Sequence, residues 1–145
     1  RALREPVQVE GDLYSLAACN DIGARLMSAI EEALAHGRIP VVAPIAEGPL
    51  NMNADDGAST IARAIGADEL RFLTDVDGFI VDGAVLDWID YDRASVLLDS
   101  GTLEGGIIPK LQGALTVAGC GIRAWIGRTE VEPLGSPRSP DTGVR

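Results

Sequence analysis

The pattern of this sequence changes within VVAPIAEGPLNMNADD, residues 41–56, where an apolar run gives way to a polar loop and then to a helical repeat. The continuous apolar run, residues 40–46, is typical of a strand buried on both faces of a parallel sheet. Ligands of open α/β sheets collect where such strands end, next to helix N-termini whose free N–H groups and dipole attract anions. Asn51, Asn53 and Asp55 stand at this junction, so we expect them either to cap the helix or to contact a ligand.

Strand and helix patterns alternate on both sides of this junction. Apolar residues recur at helical spacing over residues 20–37 and 54–66, and each run ends at a glycine. Residues 70–76 are typical of a second strand, and Asp-Gly at residues 82–83 lies between two short apolar runs, which indicates a β-hairpin. The alternation predicts an α/β fold with a mainly parallel sheet, flanking helices and a β-hairpin insertion.

The alternation continues in the second half of the chain. Asp92 is expected to cap a short helix, a later helix ends near Gly119, and residues 122–126 are typical of another strand. The remainder is rich in Pro, Gly, Ser and charge, with almost no periodicity. We therefore predict one α/β domain over residues 1–129 and a flexible tail over residues 130–145.

The composition excludes several classes of protein. Of 145 residues, 46% are hydrophobic and 23% are charged, which is typical of a soluble globular domain. The net charge of −10 opposes binding to nucleic acid and to anionic membranes, and no apolar run reaches the length of a membrane span. The cysteines and the histidine show no metal-ligand spacing. We expect a cytoplasmic protein that binds a small molecule, with no nucleic-acid or membrane partner and no metal site of its own.

A glycine-bearing loop over residues 101–110 has the physical features of a phosphate site. Gly105 and Gly106 precede a helix with Lys110 in its first turn, so backbone N–H groups and a mobile positive charge lie close together in sequence. The loop matches neither a Walker A motif nor a dinucleotide-binding fingerprint. A purely structural glycine-rich helix start is the alternative interpretation.

Three polar sites could converge at one edge of the predicted sheet. Asp55 lies at one helix start, Lys110 at another, and Thr74 and Asp75 at a strand end. Such an edge would offer amide groups for a small polar substrate, a carboxylate to orient lysines and a cation for a transferring phosphoryl group. Because phosphoryl transfer depends mainly on positioning and electrostatic stabilisation, a separate base is not required.

Four motifs in this order resemble one family. They are PVVAPI at 40–45, NMNAD at 51–55, LTDVDG at 73–78 and GGIIPK at 105–110. Together they resemble the C-terminal, nucleotide-binding half of the acetylglutamate kinases, members of the amino-acid kinase family. The resemblance implies that family's carbamate kinase-like fold and the ATP-dependent phosphorylation, with Mg²⁺, of the side-chain carboxylate of N-acetyl-L-glutamate in arginine biosynthesis.

The resemblance also implies roles for individual residues. Asn51 would hold the α-carboxylate of the acceptor, and Asn53 belongs to the same substrate-binding motif. Asp55 would orient the active-site lysines, and Lys110 would stabilise the transferring phosphoryl group. The residues that would line the nucleotide site are Thr74, Asp75, Val76, Asp77, Gly78, Phe79, Ile80, Thr102, Leu103, Glu104, Gly105 and Gly106.

Two parts of the family pattern have no counterpart here. An early Lys beside a Gly-Gly loop, a second glycine pair and a substrate-binding Arg are missing from residues 1–37, and the closing segment is not recognisable after Arg128. We therefore expect the fold to lack its N-terminal half, the sheet to have an exposed edge and the isolated chain to be weak or inactive as a kinase. The complete protein is expected to be a homo-oligomer.

Two further interpretations stay open. The chain could be a non-catalytic nucleotide-binding or regulatory module that keeps the ATP half alone. It could also belong to an amino-acid kinase for another acceptor, such as carrier-linked aminoadipate, because the Asn51 loop suits a carboxylate-bearing acceptor without naming it.

Overall fold

The computed structural model describes residues 20–44, 53–81 and 83–136. The chain divides into two compact units, residues 1–54 and 55–145, where the sequence predicts one domain over residues 1–129. The division falls close after the apolar run that was expected to join the sheet.

In the first unit, α1 spans Asn20–Ala35, which agrees with the helix expected over residues 20–37. The helix closes with two hydrogen bonds, from Gly37 N to the carbonyl of Leu34 and from Arg38 N to the carbonyl of Ala33, both 2.9 Å. These bonds pair carbonyl groups that the end of a helix leaves free. Ile30 is buried, whereas Leu34 on the same expected apolar face is exposed.

The strand expected over residues 40–46 is a wrong prediction for the residues that the structure describes. Residues 38–44 form no strand, and Val41 is 92% exposed. Apolar composition alone does not make a strand, since the backbone needs a neighbouring strand to accept and donate its hydrogen bonds. Residues 45 and 46 lie outside the described part of the chain.

The remaining elements alternate as an α/β protein should. They are α2 (Ala54–Ile65), β1 (Glu69–Phe72), β2 (Ile80–Val81), β3 (Ala84–Val85), β4 (Trp88–Ile89), α3 (Tyr91–Asp99), α4 (Ile107–Ala118), β5 (Arg123–Ile126) and β6 (Thr129–Val131). The α/β class and the helices expected after residue 54 are thus confirmed.

Four strands form a mostly parallel sheet in the order β1-β5-β6-β4. β1 pairs with β5 in parallel and β4 pairs with β6 in parallel, while β5 and β6 run antiparallel. β2 and β3 form the expected antiparallel hairpin beside this sheet. Among the strands that the structure describes, β1 and β4 each pair with one other strand and form the two ends of this order.

α3 begins two residues earlier than the sequence indicated. Its cap is Asp90, whose Oδ1 accepts a hydrogen bond from Arg93 N at 2.8 Å, and not Asp92. Asp90 has an extended backbone (φ −73°, ψ 157°), as a capping residue requires, whereas Asp92 lies inside the first turn. Because Asp90 and Asp92 are only two residues apart, the sequence does not show which of them caps the helix, and the backbone conformation decides it.

α4 covers the core face of the sheet. Its buried side chains pack with Phe72 and with the core residues of β5 and β6, as the small and aliphatic residues of this helix predict. The fully buried members of the core, at 0% exposure, are Ala94, Leu111, Ala114, Val117, Ala118, Ala124, Ile126 and Val131. Both helix and sheet therefore bury continuous apolar surfaces, which is the main stabilising term of such a layer.

The expected tail boundary at residue 130 is also wrong. Glu130 and Val131 belong to β6, where Glu130 N donates to the carbonyl of Asp87 and Glu132 N to the carbonyl of Ile89, both at 3.0 Å. Val131 is completely buried. A three-residue strand with one apolar residue gives no periodicity, so only its partners reveal it. Residues 137–145 lie outside the described part of the chain.

Replacing Val131 with Ala tests whether this segment is part of the folded core. We expect the free energy of unfolding to fall by about 2 kcal/mol, because a fully buried valine loses two methyl groups and leaves a cavity. Leu134→Ala is the control, since Leu134 is 56% exposed and its loss should cost less than about 1 kcal/mol. Equal effects of both changes in urea unfolding would contradict the assignment of β6 to the core.

Candidate functional site

α2, α4 and β1 meet at a single glycine. A β-carbon at Gly113 would lie 2.6 Å from Ser59 Oγ and 2.8 Å from Phe72 Cζ, distances that real side chains do not tolerate. Ser59 Oγ also donates a hydrogen bond to the carbonyl of Asp55 at 2.8 Å, which directs the hydroxyl along its own helix. The absence of a side chain at Gly113 therefore determines how closely α4 can lie against α2.

This close approach brings two charged side chains together one turn away. Asp55 precedes Ser59 by four residues and Lys110 precedes Gly113 by three, and a helical turn is about 3.6 residues. Lys110 Nζ lies 3.0 Å from Asp55 Oδ2 and 3.2 Å from Oδ1. The expected contact between these two residues is present in the structure.

The Asp55–Lys110 ion pair is partly shielded from solvent. The two side chains are 20% and 21% exposed, so the interaction is screened less than a surface pair but remains open to a ligand. Asp55 stands in the first turn of α2, where the helix dipole favours a negative charge. Lys110 stands in the first turn of α4, where the dipole opposes a positive charge, so helix stability does not account for its position.

Lys110 is the only lysine in the 145 residues, alongside 11 arginines. Lysine carries a compact ammonium group on a flexible stem, whereas arginine presents a flat fork suited to fixed bidentate pairing. A sequence that otherwise uses arginine for its positive charges keeps a lysine at this position. The positive charge beside Asp55 is therefore a compact ammonium group.

The glycine pair before α4 is not explained by packing. Gly105 has φ +70°, which disfavours other residues, but Gly106 has φ −69° and space around the position that a β-carbon would occupy. Gly106 caps α4 without a side-chain hydrogen bond. The backbone at this helix start is thus accessible, as the approach of a phosphate requires.

The segment 74–80 is exposed at its tip and buried at its base. Thr74 Oγ1 lies 3.3 Å from Asp75 Oδ1 and 3.5 Å from Val76 N, both long contacts, and Asp75 and Asp77 are exposed. Gly78 and Phe79 are buried, and the Phe79 ring belongs to the core. Phe79 was expected to line the nucleotide site, but its side chain, 1% exposed, supports the segment from within.

The other expected site residues differ in how far the structure describes them. Asn51 lies outside the described residues, and Asn53 is an exposed residue of the first unit. Thr102 and Glu104 are exposed, with Thr102 Oγ1 2.7 Å from Ser100 Oγ, and Leu103 packs against the core. Asp55 and Lys110 are thus the expected catalytic residues that the structure joins directly.

Four residues near these segments were not expected from the sequence. Ser59 and Gly113 determine the distance between the helices, and Gly127 and Thr129 contact the base of the 74–80 segment. A glycine within the apolar stripe of α4 is a signal that could have indicated Gly113. No local pattern marks Thr129, because its contacts are 43 and 50 residues away in the sequence.

The described residues contain no group of three or more His, Cys, Asp or Glu side chains that could hold a metal ion. No helix within the described ranges is both long enough and apolar enough to cross a membrane.

Residues 7–128 match the amino acid kinase family. This chain belongs to the amino acid kinase family. The expected resemblance is thereby confirmed at the level of the family, and the α/β architecture with its mostly parallel sheet is an amino acid kinase fold.

Acetylglutamate kinases are among the most similar relatives of this amino acid kinase family chain. The enzyme of Roseiflexus castenholzii is 46% identical over 98 residues, which cover 66% of this chain and 38% of that enzyme. The enzyme of Bacillus pumilus is 45% identical over 82 residues, or 54% of this chain and 32% of that enzyme. The chain thus spans well under half the length of the curated relatives it matches.

Solved structures share the same fold. The smu.665 protein of Streptococcus mutans UA159 is 32% identical with a TM-score of 0.68, and the match covers 74% of this chain and 48% of that one. N-acetylglutamate synthase of Neisseria gonorrhoeae has a TM-score of 0.64 at 19% identity, covering 72% of this chain and 30% of that one. The second likeness supports the fold alone.

Replacing Gly113 with Ala tests the packing that joins the two helices. Alanine favours a helix over glycine by about 1 kcal/mol, yet we expect a net loss of about 1–3 kcal/mol in the free energy of unfolding, because the new methyl group meets Ser59 and Phe72. The matched control is Gln112→Ala, at an exposed neighbouring position of the same helix. A Gly113→Ala protein that is as stable as the control would contradict the proposed packing.

The same variant reports on the ion pair, because Lys110 is the only lysine side chain that an amine reagent can modify. We expect Lys110 to be acetylated faster in the Gly113→Ala protein than in the Gln112→Ala protein, since Asp55 no longer holds the ammonium group. Mass spectrometry of the peptide that contains Lys110 measures the rate. Equal rates would indicate that the helix spacing does not control the pair.

Proposed function

We propose that this chain forms the nucleotide-binding and phosphoryl-transfer part of an ATP-dependent amino-acid kinase that acts on a carboxylate. The observation that carries the proposal is the Asp55–Lys110 ion pair at the starts of two helices, with Gly105 and Gly106 five and four residues before Lys110 in the chain. Membership of the amino acid kinase family supports phosphoryl transfer as the reaction class.

Lys110 has the chemistry to stabilise the transferring group. In phosphoryl transfer, negative charge spreads over the γ-phosphoryl oxygens as the bond to the β–γ bridging oxygen breaks. An ammonium group near these oxygens lowers the barrier by electrostatic attraction. Asp55 restricts the position of Lys110 and compensates for the unfavourable dipole at the start of α4.

A carboxylate acceptor explains why the site can work without a general base. The attacking oxygen of a carboxylate already carries negative charge at neutral pH, so no proton has to be removed. The acceptor oxygen forms a bond to the γ-phosphorus, ADP leaves with the bridging oxygen, and the product is an acyl phosphate. In this proposal Mg²⁺ enters with ATP as part of the substrate and neutralises its phosphates.

The nucleotide is proposed to bind along the starts of α4 and of the 74–80 segment. The chain is acidic overall, with a net charge of −10, so polyphosphate has to be held by local groups. The first-turn N–H groups of α4, other than at Pro109, which has none, and the Lys110 ammonium are suitable donors. Thr102, Leu103, Glu104 and the exposed tip at Asp75 to Asp77 complete the proposed nucleotide site.

N-acetyl-L-glutamate is the proposed acceptor. The relatives named acetylglutamate kinase are 36% to 46% identical over their matched regions, and this similarity supports the choice. Asn51 and Asn53 carry amide groups suited to a carboxylate and are assigned to the acceptor as part of the proposal. The activity would belong to arginine biosynthesis in the cytoplasm.

A nucleotide-binding module without catalysis is the second candidate. The observation in its favour is that the chain spans 38% of the length of the Roseiflexus enzyme. Groups that complete the acceptor site in a longer kinase would then have to come from residues other than these. The two candidates differ in turnover and not in nucleotide binding.

Replacing Lys110 with Ala in a complete protein that contains this sequence tests the catalytic assignment. We expect turnover to fall by about 10²-fold or more, while the dissociation constant for ATP changes less, because the ammonium group acts mainly in the transition state. Arg63→Ala removes the same charge from the exposed last turn of α2 and serves as the control. Unchanged turnover in Lys110→Ala would remove Lys110 from the mechanism.

The 145-residue chain alone tests the nucleotide binding that both candidates require. We expect it to bind Mg²⁺-ATP in isothermal titration calorimetry and to phosphorylate N-acetylglutamate weakly or not at all. Binding together with rapid ADP release that depends on the acceptor would show that these residues suffice for catalysis. Lack of ATP binding would count against both candidates.

A further inference from the structure

The turn at residues 127–129 is fastened to the base of the 74–80 segment by backbone hydrogen bonds. Gly127 N donates to the carbonyl of Phe72 at 3.0 Å, and Arg128 N donates to the carbonyl of Asp77 at 2.8 Å. The two bonds hold both sides of the segment's exposed tip. The turn therefore defines where the tip begins and where it ends.

Thr129 adds a side-chain connection at the same place. Its hydroxyl oxygen accepts a hydrogen bond from Phe79 N at 2.8 Å and donates its proton to the carbonyl of Leu86 at 2.6 Å. Leu86 N donates in turn to the carbonyl of Phe79 at 2.9 Å, at the base of the β2–β3 hairpin. One hydroxyl thus joins both ends of the hairpin to β6.

The fit at this contact leaves no space for additional atoms. A β-carbon at Gly78 would lie 2.5 Å from Thr129 Oγ1, and a β-carbon at Gly127 would lie 2.6 Å from the carbonyl oxygen of Asp77. Gly127 also has φ +56°, a conformation that side chains disfavour. Thr129 itself is completely buried, so water cannot replace its hydrogen bonds.

The tip of the segment, by contrast, has weak internal support. The contacts of Thr74 Oγ1 at 3.3 and 3.5 Å are at the limit of hydrogen bonding, and residues 75–77 are exposed. The position of the tip therefore depends on its attachment at Phe72, Asp77 and Phe79. Thr129 is the one side chain among these attachments.

We propose that Thr129 is a positioning residue that pre-organises the 74–80 segment for nucleotide. The inference rests on the proposed function, which assigns this segment to ATP. A segment already held in its binding conformation loses less conformational freedom when the ligand binds, and affinity rises accordingly. Thr129 acts through Phe79 and the backbone and does not itself touch the nucleotide.

The test compares Thr129→Val with Thr129→Ser in the 145-residue chain. Valine keeps the shape and removes both hydrogen bonds, and we expect the dissociation constant for Mg²⁺-ATP to rise about tenfold, equivalent to about 1.4 kcal/mol. Serine keeps the hydroxyl and should bind within about threefold of the unmodified chain. Val131→Ala is the control, because it removes buried methyl groups from the same strand and leaves both hydrogen bonds of the Thr129 hydroxyl in place.

The outcomes distinguish this inference from the function on which it rests. If the unmodified chain does not bind Mg²⁺-ATP, the proposed function fails and the inference fails with it. If the chain binds and Thr129→Val binds equally well, only the positioning role is overturned. A loss of affinity in Val131→Ala equal to that in Thr129→Val would also overturn it, since general destabilisation would then explain both.

Hydrogen exchange of the unmodified chain tests the inference even if Thr129→Val does not fold. We expect the amides of Arg128 and Phe79 to be protected from exchange before nucleotide is added. The Arg128 amide already donates a hydrogen bond to the carbonyl of Asp77, and the Phe79 amide already donates one to Thr129 Oγ1. If these amides exchange freely until Mg²⁺-ATP is present, the segment is organised by the ligand and the inference is wrong.

Discussion

The contact between α2, α4 and β1 at Gly113 is the constraint on which the candidate site depends. Helix surfaces usually approach through side chains, which keep the axes about 8–10 Å apart. Here Ser59 and Phe72 occupy the space that a β-carbon at Gly113 would need. Asp55 and Lys110 lie one helical turn from this contact. The close packing at Gly113 therefore sets the distance between their charged groups.

The two charged side chains interact differently with the dipoles of their own helices. Asp55 is favoured where it stands, and Lys110 is not, so the pair is stable only because both residues are present. An ammonium group held in an unfavourable location by a neighbouring carboxylate can respond to a more strongly charged ligand. This property distinguishes the pair from the surface pair of Arg71 and Glu69, where the hydrogen bond from Arg71 lowers the pKa of Glu69 at the exposed face of β1.

The strand β6 makes residues 129–131 part of the sheet. Its residues enter the sheet between β5 and β4, and Thr129 at its start fastens the segment proposed to bind nucleotide. Leu134 N still donates to the carbonyl of Ala118 at 3.1 Å, so the backbone remains attached beyond the strand. A stretch whose composition suggested a tail is therefore part of the support for the candidate site.

The amino-acid sequence by itself determined the class of fold, the β2–β3 hairpin, the helices that begin close to Asp55 and Lys110, and the family. These features are encoded locally, because helical spacing, turn residues and short motifs act over a few neighbouring positions. Only the tertiary structure decided that residues 38–44 form no strand, that Asp90 caps α3, and that Gly113 and Thr129 contact the elements of the candidate site. Those outcomes depend on hydrogen bonds and packing between residues far apart in the sequence, which local patterns do not contain.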